Sequence, residues 1–546
     1  MEHLDHKKKI TIMIAIMSAM LFAAINQTII GTALPRIIAD LGGMQYFSWV
    51  FTIFMLASSI TAILVGKLSD IYGRKPFILI GIGVFMVGTL LCGTSSTIIH
   101  LIVYRGVQGL GAGMIMSTAF TAVGDLFSPR ERGRWQGIMG SVFGLASVFG
   151  PTLGGYIVDN FDWNWIFWIF LPIGVVAFIL IWRLFPSVDK KATEKVDYLG
   201  SIFLTLTMMP MLLAFSWAGK TYAWTSPQII ALFSGAVIAF IIFIQIERKA
   251  KSPVLPLHLF KNSIFSLSNM IGFIMGAGMF GAIMYTPFFI QGVMGSSATA
   301  SGFIMMPMTL AMVTASAIGG QIITKTGKYK IIAILGLTIM STGMFFLSLM
   351  DANTSPWIAV LNMITVGLGL GMSFPVFTLT VQNAVSHKFL GVATSSAQLF
   401  RQLGGTIGVS IMGTIMASSM KDEMSQAASS GSAADAFAKN PDAAEKLKAL
   451  QDPQALMDPE ALDKIKSSLP DGLLGVFDQI VGVLRTALSH ALSDVFLTGS
   501  IIVGAAVLLT FFLKEIPLRM SNTDTKEEEK KENDENSREK LKERSI

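Results

Sequence analysis

The residue types able to do chemistry in this 546-residue chain sit in a few short segments. One is the stretch Gly66-Lys-Leu-Ser-Asp70-Ile-Tyr-Gly73-Arg74-Lys75-Pro76. Its glycines permit a tight turn, and Asp70 and Arg74 are spaced to pair across it. Asp125 ends a later apolar run, and Arg130, Arg132 and Arg134 follow. Together these predict a charged latch of Asp70, Gly73, Arg74, Asp125 and Arg134, able to lock one conformation and release another. A second segment places Arg105 within an apolar run, Leu101-Ile-Val-Tyr-Arg105-Gly-Val-Gln108-Gly109-Leu-Gly111. Asn26, in Asn26-Gln27-Thr28, lies at similar depth in its own run, so Asn26 and Arg105 are expected to form a polar pair. A third segment, Gly150-Pro151-Thr-Leu-Gly154-Gly155, combines small residues for close helix packing with a proline that bends the chain. Gln27, Gln108, Met284, Tyr285 and Phe288 are candidates to line a cavity, the last three within a flexible apolar wall. Arg401, in Gln398-Leu-Phe-Arg401-Gln402, is expected at the end of its run, meeting lipid headgroups.

No phosphate-binding G-x-x-x-x-G-K-[ST] loop, H-E-x-x-H, G-x-S-x-G or paired-cysteine motif occurs. The sequence predicts no enzyme, no cofactor and no metal. The single cysteine, Cys92, reads as a small core side chain. A solute moved uphill would have to draw on an ion gradient.

The elements that hold these residues follow from composition. Hydrophobic residues make up 52% of the chain and charged residues 14%, and the mean hydropathy is +0.61. Soluble domains carry about 25% charge, so a soluble globule, a disordered chain and a nucleic-acid binder are excluded. Runs long enough to cross about 30 Å of hydrocarbon fall near 11–33, 47–66, 77–95, 98–123, 136–157, 164–184, 198–216, 228–246, 265–289, 300–323, 331–350, 356–380, 397–418 and 494–514. The expected fold is an all-α membrane protein with 14 transmembrane helices.

Lys and Arg crowd alternate short loops, including Arg74 and Lys75, Arg130 to Arg134, and Lys325, Lys328 and Lys330. By the positive-inside rule these loops and both termini are cytoplasmic. No Asp or Glu falls clearly inside a span; Asp70 and Asp125 sit at cytoplasmic ends.

Internal symmetry is legible. Gly109-Leu-Gly-Ala-Gly-Met114 matches Gly367-Leu-Gly-Leu-Gly-Met372, and Gly66, Gly73 and Arg74 match Gly320, Gly327 and Lys328. The expected organisation is a six-helix bundle at 1–190, a two-helix insertion at 191–262 and five helices of a second bundle at 263–418. An external helical hairpin at 419–493, a last transmembrane helix at 494–515 and a disordered cytoplasmic tail at 516–546 complete it. The hairpin reads equally as a spacer or as a lid over an outer vestibule.

On these segments the chain resembles the major facilitator superfamily and, within it, the 14-span drug–proton antiporters of the EmrB/QacA type. The resemblance spans about residues 8–515. Gly66–Pro76 looks like the family's signature A, Arg105–Gly113 like signature B, whose arginine is implicated in proton transfer, and Gly150–Gly155 like the antiporter signature C. Asn26–Pro35 resembles the branch's span-1 signature, which usually begins with Asp. The resemblance implies two six-helix bundles plus two inserted linker helices, rocking around a central cavity. It implies proton-coupled export of drugs or other amphiphilic small molecules from a plasma or inner membrane, by a monomer in contact with lipids and binding no nucleic acid. Asn26 departs from the pattern, since an amide carries no proton between states. The alternative expectation is therefore export of an endogenous lipid-like or anionic metabolite with weak or unusual proton coupling. A non-transporting scaffold or sensor is the third reading, and the intact signatures argue against it.

Overall fold

The computed structural model describes residues 5–41, 46–186, 197–218, 222–250, 253–296, 298–429, 462, 466–467 and 474–518. Fourteen of its helical segments are long and apolar enough to cross a membrane. The helices are α1 His6–Leu41, α2 Phe47–Tyr72, α3 Arg74–Gly93, α4 Ile98–Leu126 and α5 Pro129–Asn160. A sixth span is split into α6 Trp165–Trp168 and α7 Leu171–Leu184. Next come α8 Tyr198–Trp217, α9 Pro227–Lys249, α10 Ser263–Phe288, α11 Ala298–Thr326, α12 Lys330–Ser348 and α13 Pro356–Asn383. The last are α14 Leu390–Ser429 and α15 Leu474–Phe511.

Large apolar side chains such as Trp182, Ile238, Phe303, Trp357 and Phe512 are more than half exposed. In a soluble protein that would be a liability; here it matches a surface solvated by lipid tails. Inside, two separate apolar cores form. One gathers α1 to α7 around Phe22, Phe85 and Phe167. The other gathers α10 to α15 around Tyr329, Met340 and Phe496. A third cluster joins α8 and α9 to α2 and α14 through Leu204, Leu212 and Phe243.

The repeated glycines do the same work in both halves. A Cβ on Gly109 or Gly113 would strike the backbone of α2, and one on Gly111 the backbone of α3. Gly367 and Gly371 bear in the same way on α11, and Gly369 on α12. Close backbone approach is what small residues contribute in a medium that offers no hydrophobic drive between helices. Gly73 and Gly327, matched in sequence, both adopt positive φ, at 88° and 72°. Each turns the chain between two antiparallel spans.

Several helices extend beyond the apolar counts. α5 begins at Pro129 behind a capping box of Ser128 and Glu131, rather than near 136. α14 begins at Leu390 rather than 397, because Leu390-Gly-Val-Ala-Thr-Ser-Ser is polar enough to escape a hydropathy count yet is buried against the other half. α14 and α15 also run into the region expected as an external hairpin, reaching Ser429 and starting at Leu474. Most of that hairpin lies outside the described residues. So do 519–546 of the tail and 187–196 at the start of the expected insertion.

Candidate functional site

At the end of the bundle that carries the basic loops, Arg74 is the hub. Its guanidinium pairs with Asp70, donates Nε–H to Asp125 Oδ2 at 2.9 Å and donates Nη1–H to Ser69 Oγ at 2.7 Å. All three partners are buried or nearly so. The cause is local: α2 ends at Tyr72, Gly73 reverses the chain with positive φ, and Arg74 opens α3 beside the last turn of α4. Asp70 reaches further. Its Oδ1 accepts the backbone N–H of Gly391 at 3.0 Å and its Oδ2 that of Val392 at 3.2 Å. These are among the first N–H groups of α14, which have no partner within their own helix.

Arg134 does not join this group. It is exposed and makes no hydrogen bond or ion pair to a described residue. Arg130 and Arg132 are the engaged arginines. Arg130 crosses to the second half and donates to the carbonyls of Thr324 and Lys325 at the end of α11, both at 2.7 Å. Arg132 donates to the carbonyls of Gly124 at 2.8 Å and Phe127 at 3.2 Å, bracing the α4–α5 turn. Gln136 donates to Gln382 at 2.8 Å, and Ser117 lies 2.9 Å from Ser395, so polar contacts between the halves gather at this end.

The glycines of α5 divide their work. A Cβ at Gly133, Gly137 or Gly144 would meet α11, so this stretch forms the crossing between the halves. Gly150 lies instead against Thr28 of α1, whose hydroxyl donates to Ala146 at 2.8 Å. Gly154 is buried, nothing crowds Gly155, and the helix continues through Pro151, whose side chain lies outside the description.

Asn26 and Arg105 are joined through Gln108. Arg105 Nη1–H donates to Gln108 Oε1 at 2.5 Å, and Gln108 Nε2–H donates to Asn26 Oδ1 at 3.4 Å and to Thr89 Oγ1 at 2.7 Å. Asn26 Nδ2–H donates to the carbonyl of Phe22 at 2.9 Å. Arg105, Gln108 and Asn26 are all fully buried. The Arg105 guanidinium lies over the Phe54 ring at 4.2 Å, and its Nη2 has no partner among the described residues.

Between the halves lie two neighbouring cavities of about 150 and 230 Å³ that share Met55, Phe280 and Gln402 in their walls. The first is walled mainly by Phe54, Met116, Phe120 and Phe143, with Gln27, Gln398, Arg401 and Gln402 as its long polar side chains. The second is bounded by α2, α8, α10 and α14 and includes Met284. Gln27 and Met284 therefore line a cavity. Gln108, Tyr285 and Phe288 line neither: Gln108 belongs to the Arg105 network, Tyr285 is buried with its hydroxyl donating to Val409 at 2.8 Å, and Phe288 packs against the core of the second half.

Arg401 differs most from expectation. With α14 starting at Leu390, it stands roughly 16 Å along the axis, inside the first cavity rather than at the headgroups. Its guanidinium sits 4.2 Å from the centre of the Phe374 ring and makes no hydrogen bond or ion pair to a described residue. The spacing of Gln398, Arg401 and Gln402 puts them on one helix face, a signal present in the sequence once the helix is allowed to begin earlier.

The profile of the Major Facilitator Superfamily matches residues 16–409. The chain belongs to this superfamily. It is 39% identical over 536 residues to the multidrug transporter protein MdtP of Bacillus subtilis (strain 168), covering 96% of each chain. It is 36% identical to multidrug resistance protein 3 of the same organism, covering 92% of this chain and 95% of that relative. Among solved structures, the human organic anion transporter MFSD10 superposes with a TM-score of 0.59 at 14% identity, covering 91% of this chain and 99% of that one. The proton:xylose symporter XylE superposes with a TM-score of 0.58 at 14% identity, over 94% and 97%. At such identity these two share the superfamily fold, and the fold alone is inferred from them. Membership makes this chain a multi-pass membrane transporter rather than an enzyme.

Proposed function

We propose that this superfamily member exports drugs or other amphiphilic small molecules across the cell membrane by alternating access, as a monomer, in exchange for protons. The observation that supports it is the position of the cavities. Both halves contribute their walls, and the Asp70–Arg74–Asp125 group holds the halves together at one end. In this reading the basic-loop end is cytoplasmic, as are both termini, and the structure is closed on that side. The apolar walls with a few polar groups suit amphiphiles of varied shape. The names of the two Bacillus relatives, a multidrug transporter and a multidrug resistance protein, support drugs among the substrates.

Within this proposal, Asp70, Gly73, Arg74 and Asp125 form the latch. Asp70 and Asp125 are the titratable groups through which protons act, and Gly150, Pro151, Gly154 and Gly155 shape the far end of α5, where it packs on α1. Asn26 and Arg105 support the wall behind Phe54. The test uses proteoliposomes with an imposed pH gradient and a lumenal pH dye. Adding a substrate should move protons in wild type and not in Asp70→Asn. Transport of substrates with no proton movement would overturn proton antiport; no transport of any amphiphile would overturn export itself.

A second reading, export of an endogenous lipid-like or anionic metabolite with weak proton coupling, draws support from Asn26 and from cavity walls that hold no Asp or Glu among the described residues. In the same assay it predicts movement of an anionic amphiphile with little proton flux.

A further inference from the structure

Four groups around the first cavity present hydrogen-bond donors with no adequate acceptor among the described residues. Gln27 of α1 donates Nε2–H to Met55 Sδ at 3.6 Å, and Gln402 of α14 donates Nε2–H to the same sulfur at 3.7 Å. A thioether is a weak acceptor. Two amides from opposite halves thus converge on an atom that satisfies neither well. One turn before Gln402, the Gln398 side chain makes no hydrogen bond to a described residue. Beside it stands Arg401, the one charged residue among the described walls of this cavity. The Phe374 ring covers one face of the guanidinium, which leaves its in-plane N–H edge as the part able to bind.

An arginine inside a span without a counter-ion is costly and rarely tolerated without a function. Arg105 shows the contrast within the same chain. It is also a spanning arginine, but Gln108 and the carbonyl of Val50 accept from its Nη1 and Nε, leaving Nη2 alone without a partner among the described residues, and it lines neither cavity. Among the described residues the Arg401 guanidinium has only an aromatic ring as partner, and it faces the cavity.

We propose that Arg401 is the headgroup anchor of a binding site for anionic amphiphiles, with Gln27 and Gln402 supplying the second and third donors. A carboxylate, sulfonate or phosphate would take the guanidinium fork and draw the two amides from the Met55 sulfur. Its apolar tail would lie along Phe54, Phe120, Phe143 and Phe280. Because Gln27 belongs to the first half and Arg401 to the second, one headgroup would bridge the two bodies that must move during alternating access. This rests on the export reading above and narrows its substrate class.

The test compares three probes that share a fluorophore and chain: dansylaminoundecanoate, its methyl ester and its trimethylammonium analogue. Binding is read from dansyl emission on the full chain in phosphatidylcholine nanodiscs, against empty discs. The carboxylate should bind at least about tenfold tighter than the ester, the margin expected of a charge-assisted contact. In Arg401→Gln that ratio should fall to near one, and Arg401→Lys, which keeps the charge without the fork, should fall between. Gln27→Leu and Gln402→Leu should each lower the ratio about threefold, which guards against a folding defect in the arginine variants. Equal affinity for carboxylate and ester in wild type, or a ratio unmoved by Arg401→Gln, would overturn the proposal.

Counterflow of the same probes in proteoliposomes separates the two readings. Counterflow of the cation and ester alone, with no Arg401-dependent preference for the carboxylate, removes the anion site and leaves export standing. Arg401-dependent carboxylate binding without counterflow of any probe removes export and leaves the anion site.

Discussion

The side chain of Asp70 accepts the backbone N–H of Gly391, the second residue of α14, at 3.0 Å. The contact places a carboxylate from the end of α2 on the positive pole of a helix in the other half. Across the same end of the molecule the signs are reversed. Arg130, at the start of α5, places a guanidinium on the carbonyls of Thr324 and Lys325, the negative pole of α11. Glycines make both approaches possible: Gly66 lies against the Gly391 backbone and Gly133 against that of Gly320. A charge at a helix end is worth about 0.3–1 kcal/mol exposed and up to about 2 when partly buried. Two such contacts hold the halves firmly without making the closed state irreversible.

Asp70→Asn keeps the shape and loses the charge. The amide can turn only one oxygen toward Gly391 and Val392, and Arg74 loses one of its two carboxylates. Loss of about 1–3 kcal/mol from the closed state is expected. That is roughly a 5- to 150-fold shift toward opening at the basic-loop end. Distances between spin labels placed on the α2–α3 and α13–α14 turns should lengthen. An unchanged distance distribution would show that the carboxylate does not hold the halves.

Arg130 and Arg134 lie one helical turn apart, and the sequence reads Arg134 as the latch member. The structure engages only the first across the halves. Arg130→Ala should therefore open the same spin-label distance and lower the melting temperature in detergent. Arg134→Ala, at an exposed side chain without a bonded partner among the described residues, should stay within about 0.5 kcal/mol of wild type. Equal effects of the two substitutions would remove the role assigned to Arg130.

How much of this was legible in the sequence depends on what each residue asked of the chain. The fourteen spans were legible because lipid demands long apolar runs. The Gly-rich matches were legible because close backbone contact admits little else at those positions. The pairing of Asp70 with Arg74 follows from their spacing across Gly73. Gly391 and Val392 could not be read, because they act through backbone N–H groups that any sequence supplies. Arg401 was misplaced for a different reason. The polar first turns of α14 face the other half rather than water, and a hydropathy count cannot tell those two apart. Gln108 reads in sequence as a cavity residue; the structure uses it between Arg105 and Asn26.

Gly73 and Gly327 give a sharper comparison. Gly73 has φ 88° and ψ 162°, a region essentially reserved for glycine, where another residue costs about 1–3 kcal/mol. Gly327 also has positive φ, and no described residue lies within 4 Å of where its Cβ would be. Gly327→Ala should therefore show backbone strain alone. Gly73→Ala should show strain and a displaced Arg74 as well. The melting temperature should fall in both, while only Gly73→Ala should also open the spin-label distance between the halves. Opening in Gly327→Ala to the same degree would mean that turn geometry, rather than the Arg74 ion pairs, controls closure.

Asn26→Asp puts a carboxylate into the network that now ends in an amide. Asn26 donates to the Phe22 carbonyl and accepts from Gln108, which in turn accepts from Arg105. The introduced carboxylate, when ionised, would satisfy the Gln108 side and face the Phe22 carbonyl with like partial charge. When protonated, it would restore the donation to Phe22. The two protonation states thus favour different neighbours, which the amide cannot reproduce. The variant should show greater substrate-dependent proton movement in proteoliposomes than wild type, with a substrate range widened toward cations. The gain should require Arg105, so that Asn26→Asp combined with Arg105→Gln returns to the wild-type proton flux or below. A proton flux in Asn26→Asp equal to that of wild type would show that position 26 is structural here and that coupling, where present, runs through the Asp70 and Asp125 carboxylates.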